Sequence, residues 1–188
     1  MPESGFRFPT TDTEVAVTGT AWGTTTAVQA DDGTVATCAI TAKNTTGIRE
    51  QGGYGFSTAV VPNTAAIIQV LLRVEWRVTT GTGVIGILGC RARITTTDLT
   101  IHENSAEPTT LTTETFDITS ERAWTPADLR DGTLKTRLEP RNGNDADNPG
   151  YEFDFIALNV VWELSPTIYV PTTRELILSG GMVGRMTL

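Results

Sequence analysis

Three observations predict an all-β chain, an antiparallel β-sandwich of jelly-roll type with extended N- and C-terminal arms. Thirty-five of its 188 residues are threonine, a β-branched residue that is stiff at χ1 and suits a pleated, half-buried surface. Apolar and polar residues alternate with period two over long stretches, and about eight such runs are separated by turn signals. Helix signals are nearly absent. Jelly rolls answer this pattern. The seven-stranded immunoglobulin sandwich is the alternative, although its Cys–Trp–Cys spacing is not met.

The clearest strand covers 67–78, where Ile68, Val70, Leu72, Val74, Trp76 and Val78 alternate with Gln69, Leu71, Arg73, Glu75 and Arg77. A glycine-bearing connection of hairpin length follows (79–83), and then a strand at 84–95 with Leu88, Cys90, Ala92 and Ile94 on one side and Arg91 and Arg93 on the other. This predicts a central antiparallel hairpin over 67–95. Shorter strands are expected at 14–20, 34–41, 54–61, 112–119 and 134–139. The last, 151–164, carries Tyr151, Phe153 and Phe155 in one phase and Ile156, Leu158, Val160, Trp162 and Leu164 in the other. A phase change of one residue predicts a β-bulge near 155–157, or cover on both faces. The one helix candidate is Thr125–Arg130, with Thr125 as N-cap, Pro126 next and Asp128 in the first turn.

The arrangement implies an N-terminal arm at 1–13, a sandwich domain at 14–164 and a C-terminal arm at 165–188. One domain is the default for a chain of this length, which can bury roughly 70% of the surface its unfolded form exposes. The C-terminal stretch is more apolar than a disordered terminus should be. Ile168, Tyr169, Val170, Leu176, Ile177 and Leu178, followed by Met182 and Met186, need cover from their own domain or from a neighbouring subunit.

The formal charge of −8 argues against nucleic acid as a partner. No apolar run reaches the roughly 18 residues of a membrane span, so no membrane partner is expected. The N-terminus has no basic region followed by an apolar stretch and does not read as a secretory signal. Cys38 and Cys90 sit in strand-like apolar contexts and read as buried thiols; a single disulfide between them is the alternative, which spacing does not decide.

Catalytic constellations are sparse. His102 is the sole histidine, lies in the polar stretch 101–105 and reads as a solvated loop residue. The acid pairs Asp117 with Glu121 and Glu152 with Asp154 match glycosidase chemistry only in residue type, since 22 acids make such pairs inevitable. Asp145 and Asp147 offer hard oxygens to Ca²⁺ but sit in no EF-hand: Pro149 and Ile156 occupy ligand positions. The expectation is a non-enzyme without cofactor. Arg73, Arg77, Arg91 and Arg93 would share one basic patch if the hairpin forms, a docking surface for an acidic partner. Trp22, Tyr54 and Trp124, if exposed, could stack on sugar rings.

The run Ala123-Trp124-Thr125-Pro126-Ala127-Asp128-Leu129, followed by Leu134–Leu138 and Tyr151–Phe155, resembles the C-terminal half of small β-sandwich virion proteins of tailed bacteriophages. The likeness spans about residues 115–164. It implies a capsid decoration or cement protein, located in the virion, that binds copies of itself and other virion proteins such as the major capsid protein, with no catalytic residues. A tail or fibre component and a carbohydrate-binding β-sandwich module are the alternatives.

Overall fold

Period-two alternation is most regular in the two longest strands, and these form the spine of the molecule. The computed structural model describes residues 1–23, 27–80, 86–143 and 148–164. Its strands are β1 (Thr11–Val15), β2 (Thr20–Gly23), β3 (Ala36–Ile40), β4 (Ile48–Gly52), β5 (Ala65–Thr80), β6 (Gly86–Ile94), β7 (Thr97–Asp98), β8 (His102–Asn104), β9 (Thr112–Asp117), β10 (Leu134–Leu138), β11 (Arg141–Asn142) and β12 (Gly150–Leu164). One 3₁₀ turn, Thr119–Glu121, is the sole helical element among the described residues.

Two antiparallel sheets result. One runs β2-β3-β12-β5-β9, the other β1-β4-β10-β6, with β11 prolonging β10 along β6. Cys90 pairs with Leu138 of β10 and with His102 of β8, so β8 takes the opposite edge of β6. Leaving aside β1, β2 and the two-residue strands, the eight remaining strands in chain order are β3, β4, β5, β6, β8, β9, β10 and β12. Their spatial orders are first-eighth-third-sixth and second-seventh-fourth-fifth, which is jelly-roll topology. The inward faces of both sheets interdigitate. Val70, Leu72, Val74 and Trp76 of β5 meet Leu88, Cys90 and Ala92 of β6 and Leu134 and Leu138 of β10 in one core.

The expected hairpin does not form. β5 pairs with β12 and β9, while β6 pairs with β10, β8, β7 and β11, so the connection leads from one sheet to the other. Its length suits a hairpin, but both strands take long-range partners in different sheets. The segment 54–61 is a second correction: it forms turns, with Ser57 O accepting from Val60 N and Val61 N, rather than a strand. Its Tyr54, Phe56 and Val61 still enter the core. β4 has no clear alternation to announce it, because its inward residues include Arg49 and Gln51. Thr125–Arg130 is a pair of turns instead of a helix. The capping bonds exist nonetheless: Asp128 accepts from Thr125 N and Thr125 Oγ1 at 2.8 and 2.7 Å.

The phase change in β12 has the predicted cause. Phe153 faces Trp76 and Phe155 faces Glu75, leaving Asp154 as the extra residue of a bulge. Beyond the bulge β3 no longer pairs with β12, and residues 2–8 cover that edge instead. Ser4 N and Arg7 N donate to Val160 O and Leu158 O, and Trp162 N donates to Pro2 O. The segment read as an N-terminal arm therefore lies on its own sandwich, and residues 11–13 belong to β1. The C-terminal segment 165–188 lies outside the described residues.

Candidate functional site

Separate sheets split the four arginines. On β5, the Arg73 guanidinium lies 5.0 Å from the Phe6 ring centre and 5.3 Å from that of Phe155, and Arg77 pairs with Glu152. On β6, Arg91 pairs with Glu139, and Arg93 with Glu50. The two pairs emerge on opposite outer faces of the sandwich, so the predicted common patch does not exist. The other interface candidates, Ile168, Tyr169, Val170, Leu176, Ile177, Leu178, Met182 and Met186, lie outside the described residues, as do the Ca²⁺ candidates Asp145 and Asp147.

The three aromatic candidates are not exposed platforms. Tyr54 is 2% exposed and its hydroxyl hydrogen-bonds Thr136. Trp124 is 9% exposed and donates from Nε1 to Ile118 O. Trp22 is half-buried at the edge of the sandwich, with Phe153 at 5.7 Å and the Arg49 guanidinium at 5.1 Å from its ring. His102 is a strand residue and not a solvated loop: its ring stacks on Phe116 and its Nε2 meets Glu121 Oε1 at 2.5 Å. Hydrogen bonds from Thr119 and Gln69 hold the Asp117 carboxyl below its usual range, as a structural acceptor rather than a proton donor.

Sheet register creates a feature that no single stretch of sequence announces. Ala21 pairs with Ala39, and Ala39 pairs with Gly150, so three neighbouring strands carry alanine or glycine in one row across the outer face of the β2-β3-β12-β5-β9 sheet. Ala21 and Ala39 are exposed. The small side chains leave a shallow, open trough of about 440 Å³ across the strands. Thr37 and Thr79 line it with hydroxyl-bearing side chains, while the Trp22 ring turns to the inner face toward Phe153 and Arg49. The next row, Gly23, Thr37, Glu152 and Arg77, closes one side with an ion pair of zero net charge.

The bulge in β12 builds a second cluster. Asp154, 2% exposed, turns toward the loop before β3, where Gly33 N donates to both its oxygens at 3.1 and 3.2 Å. Carboxylate oxygens of Asp31, Glu75 and Asp154 all lie within 4.8 Å of one another. Burial, with Glu75 close by, raises the Asp154 carboxyl above its usual range despite the Gly33 bond. Three such acids repel unless a proton or a hard cation sits among them, and their oxygens are of the type Ca²⁺ takes. Sequence reasoning paired Asp154 with Glu152 instead. The bulge sends these neighbours to different surroundings, Glu152 to Arg77 and Asp154 under the loop that carries Gly33.

No family model and no curated protein matches the chain. Solved structures do. SGBP-B from a complex xyloglucan utilization locus in Bacteroides uniformis aligns with a TM-score of 0.51 at 15% identity, covering 82% of this chain and 49% of that one. This chain thus spans about half of that protein's length. The CBM22-1 xylan-binding domain of Paenibacillus barcinonensis Xyn10C aligns at 0.44 and 13% identity, covering 85% and 95%. The CBM22-1–GH10 modules of Clostridium thermocellum Xyn10B align at 0.42 and 10% identity, covering 84% and 28%. The chain shares a β-sandwich fold with SGBP-B.

Proposed function

We propose that this chain is a non-catalytic carbohydrate-binding β-sandwich module that holds an uncharged polysaccharide in the trough across β2, β3 and β12. The observation that carries the reading is the row Ala21–Ala39–Gly150, which lowers one strip of a jelly-roll face and leaves threonine hydroxyls along it. A sugar chain laid across the strands would bury its ring faces on alanine and glycine and exchange hydrogen bonds with Thr37 and Thr79. The likeness to SGBP-B, a protein of a xyloglucan utilization locus, supports the choice of ligand class. The capsid-decoration reading has less support, because the arginine patch it used is divided between two faces of the sandwich.

Native affinity electrophoresis tests the proposal. Xyloglucan or xylan in the gel should retard the wild-type chain. Ala39→Arg should abolish the retardation, since it fills the trough from an exposed position that packs on nothing in the core. A wild-type chain that migrates freely with both, and captures nothing on a broad glycan array, would overturn the proposal.

A further inference from the structure

The opposite face of the sandwich carries a charge arrangement that the neutral trough does not use. In the register of β6 and β10, Arg91 stands directly across from Arg137, and Arg93 directly across from Lys135. Neighbouring strands lie about 4.8 Å apart and same-face residues repeat about every 6.8 Å along a strand, so these four cations form a compact block. Like charges directly opposite in a sheet destabilise it. The chain has only 14 lysines and arginines and a net charge of −8, yet four of those cations share this block.

Three carboxylates hold the block together. Glu50 on β4 accepts from Lys135 at 2.6 Å, Arg137 at 3.1 Å and Arg93 at 3.2 Å. Asp98 on β7 meets Arg137 at 3.3 Å, Arg93 at 3.5 Å and Arg91 at 3.8 Å. Glu139 takes Arg91 at 2.6 Å. Four cations against three acids leave a positive excess on an acidic molecule. Two of the acids are each shared among three cations, so guanidinium donors remain in excess over acceptors.

We propose that this face, centred on Arg91, Arg93, Lys135 and Arg137, is a docking surface for a carboxylate-bearing polysaccharide. The ligand class rests on the module reading above, while the site is distinct from the trough. Charge complementarity selects an anion, and planar guanidinium forks suit sugar carboxylates. The surface lacks what a protein partner would use. Protein interfaces centre on apolar and aromatic anchors, whereas Met1, Ile68 and Leu164, the exposed large hydrophobics among the described residues, all lie off these strands.

Affinity electrophoresis in polygalacturonate, compared with neutral xyloglucan, decides the matter. Polygalacturonate should retard the chain at low salt, and about 0.5 M salt should release it by screening. The double variant K135Q/R137Q should lose the retardation. Glu50→Gln keeps every cation and removes one of the two acids shared among three cations, so it should bind several-fold more tightly while a circular dichroism spectrum confirms its fold. A purely structural role for the ion pairs would leave E50Q binding unchanged or weaker, which would overturn the proposal even where the double variant fails to fold. Absence of wild-type retardation, or equal retention on DNA, would overturn it as well. The A39R variant separates the two sites: it should lose xyloglucan and keep polygalacturonate.

Discussion

At the scale of single residues, the most consequential side chains are buried charges whose partners come from distant sequence. Arg49 is fully buried, and Asp12 accepts from its Nε at 2.7 Å. Removing one member of a buried pair strands the other and costs about 3–5 kcal/mol, whereas a surface pair is worth about 0.2–1 kcal/mol. Urea denaturation should therefore show Arg49→Ala far more destabilised than Arg77→Ala, since the Arg77 side chain is 37% exposed. Asp154 gives a pH effect with a definite sign. Its carboxyl is raised in the folded state, so the fold favours the protonated form. That contribution is fully present below the ordinary carboxyl range and is lost as pH rises through the raised folded value. Asp154→Asn keeps an oxygen for Gly33 N and loses the charge. Thermal melts from pH 4 to 7 should show a flatter profile for D154N and a melting point higher by about 2–4 °C at pH 7, the change about 1 kcal/mol makes in a domain of this size. None of these partnerships is visible in sequence: Arg49 and Gln51 look like outward residues until Asp12 is placed beside them.

At the scale of elements, legibility followed periodicity. β5 and β12 were readable because long alternating runs leave only one register of faces, and the phase break at 155–156 located the bulge at Asp154 to within two residues. β4 was unreadable because two of its inward positions are polar. The 54–61 segment misled because apolar residues can enter a core from turns as well as from strands. The edge of β12 beyond the bulge is a liability that residues 2–8 manage, since an unpaired strand edge invites pairing with other chains. Deleting residues 1–8 exposes the backbone of 158–162 and uncovers Phe155 and Arg73. The truncated chain should melt lower and scatter light at concentrations where the full chain stays clear.

At the scale of the whole molecule, one core closes both sheets and places each cysteine inside. Burial raises the Cys38 thiol to about 12 and the Cys90 thiol higher still, and both are free. A thiol reagent should find neither in the native chain and both in denaturant, and the rate of native labelling should follow global opening. The row Ala21–Ala39–Gly150 and the block Arg91–Arg93–Lys135–Arg137 also belong to this scale, for each is assembled from strands far apart in the chain. Sequence by itself determined that the chain is all-β, which positions of each long strand face inward, where β12 breaks phase, and that both cysteines suit an interior. Only the tertiary structure decided which strands share a sheet, and therefore which arginines share a face and where small residues line up. The reason is physical. Period two sets the orientation of a side chain within its own strand, a local steric matter. The partner of that strand is chosen by burial summed over the whole core, as when β5 took β12 and β9 and left β6 to the other sheet.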